Sequence, residues 1–279
     1  MKKVSDILPY FIQELGSSYM DKREIISISY IVIEYYFKFT RSEIIFYNNN
    51  LNQDQILQLN KVIDELKKGK PIQYILSETF FYNSRIYLNN KVLIPRSETE
   101  ELVDWIIKDN QGSNKRYLDI GTGSACIIIA LAKELEGKFE GIDISKDALE
   151  IAEKNCLQYD LDIDLKKLDI IQDTLSSKWD VIVSNPPYVL ESEKEYMDPN
   201  IFYEPEISLF VNDNNPLLYY KRIAHQATNC LNNKGLLYFE INEKFGSQIT
   251  HILSEEGFVN IELKKDINDK DRMIKAIWK

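Results

Sequence analysis

The sequence predicts an α/β protein: a mostly parallel seven-stranded sheet with helices on both faces, preceded by a small helical domain. Three observations lead there. The first seventy residues carry only helical apolar periodicity. From Arg116 onward short apolar runs alternate with longer amphipathic ones. The last two apolar runs are joined by a polar link, Lys265 to Arg272, that is too short for a crossover helix. Alternation makes the helices crossovers between parallel strands, whereas the short link makes the last two strands antiparallel to each other.

The elements follow in order. Ile7, Leu8, Phe11 and Leu15 share one helical face, ending near Gly16, and Ile25, Ile28, Val32, Tyr35 and Phe39 repeat the period. Ser42 suits the cap of a short helix over Glu43 to Tyr47, and Asn48, Asn49 and Asn50 read as a break. Ile56, Leu59, Ile63 and Leu66 mark another helix, closed by Gly69 and Pro71. Residues 1–74 form this helical domain, which holds no paired acids and no metal-ligand spacing. Residues 75–92 read as a β-hairpin linker, with strands at Thr79 to Tyr82 and Arg85 to Leu88 and a turn at Asn83 and Ser84. Val92 to Ile94 reads as a third extended segment. Residues 93–279 are the α/β domain. Its helices are expected at Glu98 to Lys108, Ala125 to Glu136, Lys146 to Tyr159, Leu217 to Asn229 and Gly246 to Glu256. Its strands are expected at Arg116 to Ile120, Phe139 to Ile142, Lys166 to Ile170, Asp180 to Ser184, Leu236 to Ile241, Val259 to Lys264 and Met273 to Trp278.

Composition excludes several function classes. A chain of 279 residues can bury a sizeable core without disulfides. With 34 Lys and Arg against 44 Asp and Glu the formal charge is −10, which favours a small-molecule substrate or a basic partner over broad affinity for DNA. Three separated cysteines do not make a disulfide framework, and with two histidines they give a zinc site no support. The longest clean apolar run, Ala125 to Ala132, is far too short to span a membrane. Ser5, Asp6, Gln13 and Glu14 interrupt any signal-peptide segment, so a cytoplasmic protein is expected.

Two motifs carry chemistry. The strand ending at Ile120 runs into Asp119-Ile120-Gly121-Thr122-Gly123-Ser124-Ala125, whose glycines allow a tight turn and close approach of a ligand to main-chain N–H groups. The sixth position from Gly121 is Cys126, so the dinucleotide fingerprint is incomplete. Asp143, 22 residues after Gly121 at the end of the next strand, is placed to accept both ribose hydroxyls of an adenosyl group. Asp119 suits a cationic ammonium, and the pair therefore favours S-adenosylmethionine over NAD; either acid also suits a hydrogen bond to the loop. Asp173, after the following strand, suits the exocyclic amine of adenine or a solvated loop. Lys166, Lys167 and Asp169 read as surface charges.

The sharper motif is Asn185-Pro186-Pro187-Tyr188, at the C-terminal end of the run Trp179 to Ser184. An amide or exocyclic amine is a planar nitrogen with a delocalised lone pair. The Asn185 Oδ1 and the Pro186 carbonyl can accept its two N–H groups, aim the nitrogen at a sulfonium methyl and stabilise the charge that develops. The ring of Tyr188 would hold the flat group. A rigid turn with an aromatic plug is the plainer alternative.

With these motifs in place, the chain resembles the protein-(glutamine-N5) methyltransferases of peptide chain release factors, over nearly its full length. Pro71-Ile72-Gln73-Tyr74, Leu93-Ile94-Pro95-Arg96-Ser97-Glu98-Thr99-Glu100, Glu204-Pro205 with Leu209-Phe210, and Lys265-Asp266 with Asp271-Arg272 resemble further family elements. The resemblance implies a class I S-adenosylmethionine-dependent methyltransferase fold and a helical N-terminal domain that binds the release factor. It implies methylation of the glutamine of a Gly-Gly-Gln motif, S-adenosylhomocysteine as product, and a monomer without a stable nucleic-acid partner. It places Asp119, Gly121, Thr122, Gly123, Asp143, Asp173 and Asn185 at the cofactor, Asn185, Pro186, Pro187 and Tyr188 at the amide, and Arg96 and Glu98 at the mouth of the cleft. Four positions depart from the family pattern. Ser97 replaces a proline, and Ser77, Ala125 and Asn242 stand in place of glycines; Ala125 fits if its φ is negative, and Asn242 tolerates a left-handed turn.

Rival readings are an adenine-N6 methyltransferase of RNA or DNA, a non-catalytic binding protein of the same fold, and an NAD-dependent oxidoreductase. The first needs a basic channel, against which the charge and the Glu191-Ser192-Glu193-Lys194-Glu195 stretch speak. The third lacks a proton-transfer residue, since His225 and His251 sit within helical patterns.

Overall fold

The computed structural model describes residues 3–16, 21–39, 43 and 50–279. Two compact units meet at the peptide between Ser77 and Glu78. In the first, helices α1 (Ile7–Leu15), α2 (Lys22–Phe37), α3 (Gln53–Lys67) and α4 (Ile72–Leu76) bury Ile7, Phe11, Leu15, Ile25, Val32, Leu59 and Ile63 against one another. Asp21 caps α2 by accepting from the Arg23 N–H, and Asn52 and Gln55 cap α3 reciprocally. The expected cap at Ser42 and the turn at Asn48 and Asn49 lie outside the described residues. Ser77 ends α4 in the left-handed region (φ 58°), where the glycine of the family pattern would carry no strain.

The second unit begins with the hairpin β1 (Glu78–Phe81) and β2 (Ser84–Tyr87). Its two-residue turn is Tyr82–Asn83, both at positive φ, and Ser84 belongs to the strand. After it come α5 (Ser97–Asn110), β3 (Lys115–Ile120), α6 (Cys126–Glu134), β4 (Gly137–Asp143), α7 (Lys146–Gln158), β5 (Ile163–Lys167) and β6 (Trp179–Ser184). The short pair β7 (Val189–Leu190) and β8 (Phe210–Val211) precedes α8 (Leu218–Cys230), β9 (Leu231–Glu240), α9 (Gly246–Glu255), β10 (Val259–Lys265) and β11 (Asp271–Ile277). The hairpin is tied to α7: the Tyr87 N–H donates to Asn155 Oδ1, and Asn155 Nδ2 donates to the Tyr87 carbonyl.

The central sheet has seven strands in the order β10-β11-β9-β6-β3-β4-β5. β9, β6, β3, β4 and β5 are parallel, and β11 is antiparallel to both its neighbours. This is the expected arrangement. Its central strands are unbroken apolar runs because both faces are covered. In β6, Val181 and Val183 enter the cluster with α5 and α6, while Ile182 enters the cluster with α8 and α9.

Three segments depart further from expectation than the one- or two-residue shifts seen at other ends. β5 ends at Lys167, three residues earlier, because its register is fixed by pairing Phe139–Asp143 with Ile163–Lys167; Ile170 is buried from the loop that follows. β9 starts at Leu231 and is interrupted by an irregularity around Lys234 (φ 61°) before Leu236. Val92 to Ile94 is not a strand. Ile94 donates its N–H to the Glu204 carboxylate instead of to a neighbouring strand.

Candidate active site

The C-terminal ends of β3, β4, β5 and β6 open on a cavity of about 880 Å³, its mouth included. Open parallel sheets bind ligands at this edge, where main-chain N–H groups and helix starts face outward. Its walls come from six places: Gly121 and Gly123 after β3, Asp143 to Ser145 at the end of β4, Leu168 to Ile170 after β5, Ser184 to Pro187 at the end of β6, and two further segments, 91–93 and 205–208.

The glycine loop turns through positive φ at Gly121 (75°) and Gly123 (54°). The N–H groups of Gly121 and Thr122 both reach the Ile142 carbonyl, which pins the loop to the neighbouring strand. The Gly123 N–H donates to Asp143 Oδ2 at 2.9 Å, and the Ser145 N–H donates to Oδ1 at 2.8 Å. The loop thus fixes the carboxylate that faces the cavity, and burial pushes that carboxyl above its usual range. Ala125 does not meet the condition of a negative φ: it lies at φ 65°, in the left-handed region, where an L-residue carries about 1–2 kcal/mol of backbone strain. Gly141 stays free of a side chain because a Cβ there would stand 3.0 Å from Thr122 Oγ1.

Asp119 and Thr122 do not line the cavity. Asp119 is fully buried beneath the loop, with Oδ2 accepting from Thr122 Oγ1 at 2.7 Å and Oδ1 left without a hydrogen-bond partner. Burial pushes its carboxyl up to about 7. A buried carboxylate oxygen without a partner is acceptor capacity left for a donor that a ligand brings. This orphaned atom, the glycine turns and the anchored Asp143 together fit the amino-acid end and the ribose of an adenosyl-methionine.

Asp173 lies off the cavity wall, where its carboxylate accepts from the Asp169 N–H at 2.9 Å and its carbonyl accepts from Arg222 and Gln226. The acid on the wall is Asp169, read from the sequence as a surface charge. The displaced strand boundary explains the error: with β5 ending at Lys167, the position two residues beyond the strand edge is Asp169.

Asn185, Pro186 and Pro187 all line the cavity. Asn185 Nδ2 donates to Thr99 Oγ1 at 3.3 Å. The Thr99 hydroxyl in turn donates to Glu240 Oε2 at 2.6 Å, and Tyr188 OH donates to Glu240 Oε1 at 3.0 Å. Tyr188, which the sequence places against the flat group, is anchored at its hydroxyl and lies off the cavity wall. Its ring is half-buried against the cluster of α8 and α9, its hydroxyl is held by Glu240, and its carbonyl accepts from Asn242 Nδ2 at 3.1 Å. Asn242 itself sits at φ −70°, not in a left-handed turn, and caps the residues that follow by accepting from the Lys244 N–H. Glu240 is fully buried at the end of β9. Burial raises its carboxyl, while the hydrogen bonds from Thr99 and Tyr188 and the charge of Arg272 oppose that rise.

Arg96 and Glu98 also stand off the wall. Arg96 Nη2 pairs with Glu204 Oε1 at 2.6 Å, and Glu204 Oε2 accepts the Ile94 N–H at 3.0 Å. This buried carboxylate clamps the segment before α5 to the one beginning at Pro205, and both segments border the cavity. Glu98 accepts from its neighbour Ser97 Oγ. Ser97 is the first residue of α5, where proline is only one of several suitable residues. The sequence reading gave Thr99 and Glu240 no role of their own and took Asp169 for a surface charge. An acid closing the apolar run Leu236 to Ile241 was the available signal for Glu240, since a buried carboxylate requires donors. Among the described residues no three His, Cys, Asp or Glu side chains gather as a metal site, and no helix is long and apolar enough to cross a membrane.

Comparison with known proteins adds independent findings. The PrmC N-terminal domain family matches residues 6–76, and the Methyltransferase small domain family matches residues 98–203. The release factor glutamine methyltransferase of Flavobacterium psychrophilum is 45% identical over 274 residues, covering 95% of this chain and 96% of that protein. That of Bacteroides thetaiotaomicron is 42% identical over 223 residues, covering 78% and 80%. Among solved structures, a methyltransferase from Pyrococcus furiosus shares the fold at a TM-score of 0.51 and 18% identity, covering 69% of this chain and 87% of that one.

Proposed function

The chain belongs to the release factor glutamine methyltransferases, and on that premise we propose which of its residues carry the reaction. The reaction moves a methyl group from S-adenosylmethionine to the side-chain amide nitrogen of a release factor glutamine, in its Gly-Gly-Gln motif. When bound, the cofactor supplies an electrophilic methyl on a sulfonium. Asp119 offers its unpaired Oδ1 to the ammonium, and Asp143 keeps acceptor capacity for the ribose hydroxyls beside the Gly121–Gly123 turn. Asp169, not Asp173, serves the adenine side.

Asn185 Oδ1 and the Pro186 carbonyl accept the two amide N–H groups of the glutamine. Pinning both hydrogens sets the plane of the amide and turns its nitrogen toward the methyl. The same acceptors stabilise positive charge as the N–C bond forms, in a site walled by prolines and strand ends. The segments 91–93 and 205–208, joined through Glu204, form the walls between which the glutamine enters. The helical unit docks the release factor, and the whole acts in the cytoplasm. The observation that carries this reading is the Asn185 amide on the cavity wall with its NH2 group already engaged, which leaves Oδ1 for the substrate.

The test is methyl transfer from labelled cofactor to purified release factor, to the same factor with its Gly-Gly-Gln glutamine replaced by alanine, and to RNA. Label is expected in the intact factor alone. Label in RNA, with none in the factor, would establish the adenine-N6 reading instead.

A further inference from the structure

The polar groups behind Asn185 form a chain whose donors and acceptors read in one direction. Each oxygen of the Glu240 side chain accepts from a hydroxyl, Oε2 from Thr99 Oγ1 (2.6 Å) and Oε1 from Tyr188 OH (3.0 Å), the pattern in which the group acts as acceptor only. Thr99 has a single hydroxyl proton. With that proton committed to Glu240, its oxygen faces Asn185 with lone pairs only. The side-chain group of Asn185 that meets it at 3.3 Å must therefore be the NH2, and the Oδ1 must point the other way.

The chain is anchored at its far end. Tyr220 OH donates to the Glu240 carbonyl at 3.1 Å. Arg272, on β11, donates to the Ile241 carbonyl at 3.2 Å and is itself held by the buried Asp266 through Nε at 3.1 Å. Burial raises the Glu240 carboxyl, and the hydrogen bonds from Thr99 and Tyr188, then the charge of Arg272, oppose that rise. Thr99 and Glu240 are both buried, at 2% and 0% exposure, so water does not substitute for either partner.

Resting on the functional reading above, we propose that Glu240 and Thr99 are positioning residues. They fix the Asn185 side-chain amide with its Oδ1 toward the acceptor nitrogen, and methyl transfer depends on that relay. An asparagine amide has two nearly isosteric orientations, and only one presents an acceptor. The other presents an NH2 group to the glutamine N–H, which repels it. Because the relay is made behind the cavity, it adds nothing to cofactor contacts and acts on the acceptor alone.

Two substitutions at position 99 separate the relay from a shape requirement. Thr99→Val keeps the side-chain volume and loses the hydroxyl; Thr99→Ser keeps the hydroxyl and loses the methyl group. We expect kcat to fall at least tenfold in Thr99→Val with cofactor affinity within twofold of wild type, and to stay within about threefold in Thr99→Ser. In an Asn185→Ala background, Thr99→Val should cause no further loss. Glu240→Leu, which removes both acceptor oxygens at similar size, should lower kcat as Thr99→Val does. Wild-type turnover in Thr99→Val, an equal loss in both position-99 variants, or additive losses with Asn185→Ala would overturn the relay. Those outcomes leave the function intact, whereas a wild-type protein that fails to label the glutamine refutes the function itself.

Discussion

On the β3–β4 side of the cleft, the groups that face the ligand are held by main-chain N–H groups from nearby in the sequence. Asp143 is fixed by Gly123, 20 residues away, and by Ser145, two residues away. On the β6–β9 side they are held by side chains from distant segments: Thr99 reaches Asn185 across 86 residues and Glu240 across 141. The first wall is a backbone device, so its shape rests on conformational freedom at a few positions. The second is a side-chain device, so its function rests on the direction of a few hydrogen bonds. A backbone wall suits a ligand whose recognition is shared by many chemistries. A wall of oriented side chains suits the reacting group.

If the two walls divide the work in this way, the largest effect comes from the side-chain wall. Asn185→Ala is expected to lower kcat by about 10²–10³-fold, the loss seen when one oriented partner of a developing charge is removed. Cofactor affinity, measured by calorimetric titration, should stay within twofold. A comparable loss of cofactor affinity would break the division.

Asp119 gives the next effect, on the cofactor side. Its carboxyl lies near 7 because it is buried, and a bound ammonium requires it ionised. The apparent affinity for S-adenosylmethionine should therefore fall as pH drops below about 7, approaching tenfold per unit. Asp119→Asn should weaken binding at pH 8 by at least tenfold and abolish the pH slope. The sign for stability of the unliganded protein is the reverse. A carboxyl raised in the folded state contributes stability that is complete below its unfolded value of 3.8 and is lost as pH rises toward 7. The slope is on the order of 1.4 kcal/mol per pH unit. Thermal denaturation of the Asp119→Asn variant between pH 4 and 8 should lack that component.

The smallest effect tests the backbone wall. Gly121 sits at φ 75°, and a Cβ built there meets no protein atom within 4 Å. Gly121→Ala should cost about 1–2 kcal/mol through conformation alone, lowering Tm by a few degrees. Cofactor affinity should fall severalfold, because the methyl projects into open space beside the ligand. Unchanged stability would show that the turn is not strained by a side chain, a possibility that Ala125 (φ 65°) makes worth measuring.

Gly121, Gly123 and Asp143 were legible in the sequence: they stand at fixed offsets after two apolar runs, and the fold brings them together on the cavity wall. Asp173 was misplaced because strand ends are the weakest feature of an edge strand. Only pairing with β4 shows that β5 stops at Lys167, which hands the cavity position to Asp169. Asn185 and Pro186 were legible as a polar turn closing a buried strand. The partner of the Tyr188 hydroxyl was not legible, because it depends on β9.

The sequence by itself determined the order of strands and helices, the antiparallel end of the sheet and the two motifs at its ligand edge. Those follow from local periodicity and from the conformations that glycine and proline allow. Only the tertiary structure decided that Asp119 keeps one oxygen unpaired, that Glu204 clamps two walls together, and that Glu240 and Thr99 orient Asn185. The physical reason is that a hydrogen bond's direction depends on which donors and acceptors meet, and these come from segments far apart along the chain that only the closed sheet brings together.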